Sequence, residues 1–177
     1  MKRHLDITTR LDIDRPAAEV FSFVADQTNA PRWQHGLHEV RRLTPGPIGI
    51  GTEHVFVRRF AGMDIESRNR YTAYQPARFV AFEIPSGRIT GAASYQVEPT
   101  GPRSSQLISH VFFHVSGVSG LATPILARVF ARDTKRDEGI LKALLETNID
   151  GCAVARPEAD AVTPTDLTPG VRERPAR

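Results

Sequence analysis

Six histidines, His4, His35, His38, His54, His110 and His114, are the side chains best suited to ligating a metal or moving a proton near neutral pH, and Cys152 is the only thiol. Spacing limits what they can share. His110 and His114 stand at the interval that brings two imidazoles together on a helix, but they lie in SSQLISHVFFHVS, whose β-branched and aromatic residues predict a strand. On a strand, positions i and i+4 share a face yet stand about 13 Å apart, too far for one ion. CxxC, HExxH and GxSxG do not occur, and neither a metal site nor a cofactor is predicted. GPIGIGT, residues 46–52, has the glycine spacing of a phosphate loop. A strand follows it, so no helix N-terminus is there to meet an anion, and it reads as a turn.

Two other stretches hold candidate chemistry. The apolar stripe of the last helical segment, Leu126, Phe130, Leu141, Leu144 and Leu145, is interrupted by RDTKRDE, where Asp133, Thr134 and Asp137 take positions that should continue it. Either the helix bends away there, or a carboxylate such as Asp137 faces inward and pairs with Arg58 or His54. Such a group is a structural ion pair or a general base. The only tryptophan, Trp33, sits in TNAPRWQHGLHEV between a proline and a glycine. Its ring covers apolar surface belonging either to a core or to a ligand.

The elements that must position these residues follow from periodicity. LDITTRLDI alternates, with Leu5, Ile7, Thr9, Leu11 and Ile13 on one face of a strand. DRPAAEVFSFVAD predicts a short helix capped by Asp14, and Pro31 limits a second to about one turn. LHEVRRL, TEHVFVRRF, MDIESRNRYTAY, RFVAFEI, ITGAASYQVEP and SSQLISHVFFHVS predict six further strands joined at Gly or Pro. A long helix follows from Val118 or Leu121 through ALLETN, with Pro124 in its first turn or kinking it. The order strand, two short helices, six strands, long helix is an α+β architecture: a seven-stranded antiparallel sheet curved around the C-terminal helix, too wide for that helix to fill.

Period two assigns the inner face. Val111 and Phe113 bring Ser109 and Leu107 inward and send His110, Phe112 and His114 outward; Tyr71 brings Asn69 and Ser67, and Tyr95 brings Ala93 and Val97. Phe56 would bring His54 and Arg58, although Val55 and Val57 make the opposite face equally apolar. Arg68, Arg70 and Glu66 fall on the outer face, either a solvated charged surface or a partner site.

Composition narrows the class. The chain has 177 residues, 40% of them hydrophobic and 24% charged, which suits one domain. Its net charge is only +3 and basic residues are interleaved with acidic ones, so no nucleic-acid arm is predicted. No apolar run is long enough for membrane insertion, and a lone cysteine fits a cytoplasmic setting. From about residue 151 the chain becomes rich in proline and free of aromatics. The predicted division is a ligand-binding domain over 1–150 and a disordered tail over 151–177.

LDIDRPAAEVFSFVADQTNAPRWQHGLHEVRRL, GIGTEHVFVRRFAG, YTAYQPARFVAF and ILKALLE together resemble, in order and spacing, the START-like, Bet v 1-like superfamily, also called SRPBCC, and its polyketide cyclase/dehydrase-like branch in particular. The likeness covers about residues 5 to 147. It implies a helix-grip fold and a small hydrophobic partner, polyketide- or lipid-like, held between the sheet and the long helix. The residues expected to line that site are Trp33, His54, Phe56, Asn69, Tyr71, Tyr95, Ser109, Val111, Phe113, Phe130 and Asp137. Three readings stay open: a binding protein; a cyclase or dehydratase using His54 or Asp137 as acid or base with Tyr71 and Asn69 orienting a carbonyl; and an interaction module whose cavity is collapsed. The resemblance leaves oligomeric state open.

Overall fold

The computed structural model describes residues 3–60, 63–85, 89–115 and 123–147, with the side chains of the long helix described from Arg132 onward. Strand β1 (Arg3–Ile13) leads into helix α1 (Ala17–Ala25) and a 3₁₀ helix, Gln27–Arg32. Six strands follow: β2 (Leu37–Arg42), β3 (Glu53–Phe60), β4 (Met63–Gln75), β5 (Phe79–Ile84), β6 (Ile89–Gly101) and β7 (Ser104–Val115). Helix α2 (Thr123–Thr147) closes the order. The sheet runs β1-β7-β6-β5-β4-β3-β2, antiparallel throughout, and is the expected seven-stranded helix-grip sheet. The predicted tail and Phe130 fall outside the described residues and side chains.

Curvature comes from register shifts between Leu37 and Glu39, Tyr71 and Ala73, and Pro99 and Gly101. It also needs a residue without a side chain at Gly91, where a Cβ would stand 2.0 Å from the Phe112 carbonyl oxygen. The start of α1 differs from expectation. Pro16, not Asp14, is its N-cap, and the Pro16 carbonyl takes the first N–H groups, from Glu19 at 3.0 Å and Val20 at 3.2 Å. Asp14 is too far upstream to reach the first turn; its backbone N–H instead bonds Glu146 Oε1 at 2.9 Å. Pro124 is the second residue of α2, where a missing N–H is no loss.

The core gathers under α1. Val20, Phe21 and Val24 from the helix meet Ile13, Val80, Val97 and Leu107 from the sheet and Leu141 from α2, all buried. The end of α2 is fastened to the β1–α1 corner. Arg15 donates from Nε to the Leu145 carbonyl at 2.9 Å and from Nη2 to that of Glu146 at 3.0 Å, satisfying carbonyls the helix leaves open, while Lys142 Nζ bonds the Asp12 carbonyl at 2.6 Å.

Candidate functional site

Burial along the inner face changes from one end to the other. Near α1 the inward residues are closed off: Ile13 on β1, Ser105 and Leu107 on β7, Val97 on β6. Farther along the same strands, Leu11, Thr9, Ile7 and Leu5 on β1 and Ser109, Val111 and Phe113 on β7 are only half-buried. These positions pair across the ladder, Thr9 with Ser109, Ile7 with Val111 and Leu5 with Phe113, so they form one continuous strip. On the outer side of β1, His4, Asp6, Thr8 and Arg10 are exposed, whereas on β7 His110 is exposed and Ile108, Phe112 and His114 are half-buried like the inner residues. The inner face is therefore less closely covered along this strip than it is near α1.

The middle of the inner face is aromatic. Ring centroids run His54 to Tyr71 at 5.3 Å, Tyr71 to Phe82 at 5.9 Å, Phe82 to Tyr95 at 5.8 Å, and Tyr95 to Trp33 at 6.2 Å. Trp33 is buried and meets Tyr95 edge-on, as aromatic pairs prefer. At the closed end Tyr71 donates its hydroxyl to the Ala25 carbonyl at 2.5 Å, and burial raises its pKa well above the usual phenol range.

The ladder also settles the register of β3. His54 pairs with Asn69 and Phe56 with Ser67, so His54, Phe56 and Arg58 share the face of Tyr71. Phe56 packs in a separate small cluster with Ala30 and Leu37. Val55 and Val57 are buried as well, on the outer side, where the strand partners Arg41, Arg68 and Glu66 lie over them.

His54 is fully buried, and neither ring nitrogen has a hydrogen-bond partner among the described residues; the same holds for the side chain of Asn69 opposite. Burial depresses the His54 pKa; Asp26 opposes this, Arg42 adds to the fall, and the Asn69 side chain opposite raises it. The imidazole is therefore neutral at neutral pH and closed off from the accessible strip.

At the other end of β3 the picture reverses. Arg58 is exposed as a whole, yet burial of its guanidinium lowers its pKa, with Tyr95 and Asp137 pulling the other way. Arg58 Nη2 donates to Gln34 Oε1 at 2.9 Å, and Gln34 Nε2 donates to the Tyr95 hydroxyl at 3.3 Å. Burial raises the Tyr95 pKa far above the ordinary phenol value.

Asp137 is half-buried in the middle of α2, and its Oδ1 accepts the backbone N–H of His35 at 2.9 Å. Burial raises its pKa and Asp133 adds to the rise; the His35 N–H, the His35 side chain and Arg58 oppose it. Of the two partners expected for Asp137, Arg58 acts on it through space, whereas His54 lies by Asp26 and Arg42 at the closed end.

The structure thus divides the expected site residues. Ser109, Val111, Phe113 and Asp137 are half-buried, while Trp33, Tyr95, Phe56, Tyr71, His54 and Asn69 are buried. Gln34 and the His35 main chain were not anticipated. They reach the site because Gly36, at φ +74°, turns the segment after the 3₁₀ helix back over β3. The one local signal was a run of polar residues beside Trp33.

A family model described as polyketide cyclase / dehydrase and lipid transport matches residues 4–146. Among solved structures, the chain is similar to the Zhui aromatase/cyclase from Streptomyces sp. R1128, at 16% identity and a TM-score of 0.66 over 85% of this chain and 97% of that one. A START superfamily protein from Mycobacterium smegmatis gives 14% identity and a TM-score of 0.66, over 81% of this chain and 98% of that one. A norcoclaurine synthase point mutant from Thalictrum flavum gives 13% and 0.58, over 82% and 96%. At such identities the likeness speaks for the fold alone. No curated protein matches the sequence.

Proposed function

Because the chain belongs to the polyketide cyclase/dehydrase and lipid transport family, we propose that it binds a small apolar or aromatic molecule, polyketide- or lipid-like, in the hollow between the sheet and α2. The observation that carries this reading is the half-buried strip of Leu5, Ile7, Thr9, Ser109, Val111 and Phe113 beside the aromatic run. Apolar wall with a few convergent polar groups is the usual make-up of a ligand pocket. The body of the ligand would lie on the strip and an oxygen would meet Arg58. The same strip counts against an interaction module with a filled interior. No helix among the described residues is long and apolar enough to cross a membrane.

Titration with 2-naphthol, followed by calorimetry and by Trp33 emission, tests the proposal. Trp33 touches Tyr95, so occupancy of the hollow should shift or quench its fluorescence in step with the binding heat. Heat without an emission change would place the ligand elsewhere. Absence of both would remove the binding reading for this ligand class.

A second reading, cyclase or dehydratase chemistry, is favoured by the group around Arg58. A crowded guanidinium beside the Gln34 amide and the Tyr95 hydroxyl can stabilise a carbonyl oxygen as it becomes an enolate. The Asp137 carboxylate, its pKa raised, is placed to take the α-proton. His54 is less suited to that task, being enclosed.

A further inference from the structure

The two edges of the sheet differ. β2 is six residues long and its pairing is interrupted by a bulge between Leu37 and Glu39, which is how natural sheets blunt an edge. β1 is eleven residues long, pairs with β7 through every residue from Arg3 to Ile13, and has no strand on its other side among the described residues. An edge of that length is a template for another strand.

We propose that the free edge of β1 pairs with the same edge of a second copy of this chain, antiparallel and centred on Thr8. The charges on the outer face select both the partner and the register. Reading outward positions only, β1 presents His4, Asp6, Thr8, Arg10 and Asp12, all exposed. About a two-fold axis through Thr8, Asp6 of each copy meets Arg10 of the other, and His4 meets Asp12. The strand is its own electrostatic complement. Sliding by two residues one way sets Asp6 against Asp12, and the other way sets His4 against Arg10. Slides by one residue place outer side chains against inner ones.

The groups concerned have capacity for a partner, and the free main chain ends at Leu11, since Lys142 Nζ holds the Asp12 carbonyl at 2.6 Å. Arg10 makes no ion pair or hydrogen bond among the described residues. Asp6 uses Oδ1 for His110 at 2.8 Å and Asp12 uses Oδ1 for Gln106 at 2.8 Å, which leaves Oδ2 on each for Arg10 or His4 of the second copy. On the inner face the same register brings Leu5 against Leu11 and Ile7 against Thr9, continuing the half-buried strip across the junction. The contact is isologous and closes as a dimer, so it gives no fibre.

Sedimentation equilibrium of the full chain from about 10 μM to about 1 mM spans the range where an interface smaller than ~1,200 Å² is populated. A monomer–dimer equilibrium is expected, with circular dichroism confirming the fold of each variant. Asp6→Arg alone, or Arg10→Asp alone, should weaken the dimer at least about tenfold, because two-fold symmetry repeats each like-charge contact. Asp6→Arg with Arg10→Asp should restore it, since this register alone pairs those two positions. A monomer throughout the range, single reversals without effect, or a double variant that stays monomeric would each overturn the proposal. A dimer seen only after removal of residues 148–177 would overturn it too, by assigning the edge to the chain's own C-terminal segment.

Discussion

Replacing His54 by phenylalanine asks what a neutral polar ring is doing at the closed end of the inner face. His54 is fully buried, stands 5.3 Å from the Tyr71 ring, and has two nitrogens without partners among the described residues. A buried polar atom left unpaired costs about 1–3 kcal/mol. Phenylalanine keeps the ring contact and removes both such atoms, at an overpacking cost of about 1–3 kcal/mol. With mid-range values, about 2 kcal/mol for each of the two atoms less about 2 kcal/mol for overpacking, the net expectation above pH 6.5 is a stabilisation of about 2 kcal/mol. Acid should enlarge it. The folded-state pKa of His54 is held below 6.5, chiefly by burial. As the pH falls through 6.5 the unfolded chain takes up a proton that the folded chain refuses, so the wild type loses stability until the folded ring protonates. The slope can reach about 1.4 kcal/mol per pH unit, and the phenylalanine variant lacks it. Urea unfolding at a series of pH values, compared at equal m, reads both effects. A variant less stable than wild type above pH 6.5, or a difference constant with pH, would refute the reasoning and mean that His54 has a partner in solution.

Three further substitutions probe the rest of the molecule. Asp137→Asn keeps an acceptor for the His35 N–H; because the carboxyl pKa is raised, its charge opposes folding, so any stability it contributes is present below pH 3.8 and lost as the pH rises through the folded value. The variant should match or slightly exceed wild type at neutral pH, by less than about 1 kcal/mol for this half-exposed group, and converge with it in acid. A loss of about 3–5 kcal/mol would instead indicate a buried ion pair, and a turnover reduced about 10²–10⁴-fold would promote the catalytic reading. Ser109→Trp should fill the hollow and abolish the 2-naphthol heat with the fold retained by circular dichroism; undiminished binding would move the site off the strip. Arg15→Met removes the donors to the Leu145 and Glu146 carbonyls and should lower stability in urea by about 1–3 kcal/mol; no change would mean that water replaces them without cost.

What the sequence makes legible is whatever local periodicity encodes. The alternation in LDITTRLDI and SSQLISHVFFHVS is the record of a sheet with one face covered, and the structure places Leu5 to Ile13 and Leu107 to Phe113 on that face in matched register. On β3 alternation is silent, because Val55 and Val57 are as apolar as His54 and Phe56. Only the pairing of His54 with Asn69 and Phe56 with Ser67 decides the matter, and pairing is a property of two strands. The predicted cap at Asp14 fails for a related reason. Its composition suits a helix start, but Pro16 sets the start two residues later, and the Asp14 N–H is claimed by Glu146 from the far end of the chain.

The polar end of the site lies beyond any such pattern. Gln34 meets Arg58 and Tyr95, and His35 meets Asp137, so three contacts join the 33–36 segment to β3, β6 and α2. None has a local period, and the turn at Gly36 that delivers them has no pattern beyond one glycine. Asp137 shows how far a broken stripe can be read. The interruption at RDTKRDE raises the question of a carboxylate out of step with the apolar face, but a stripe has no information about what stands opposite. A main-chain N–H is there, with Arg58 acting at longer range. That arrangement gives Arg58 a hydrogen bond to Gln34 and a carboxylate only at longer range, and under the binding proposed above it is the cation that an oxygen on an otherwise apolar molecule would meet.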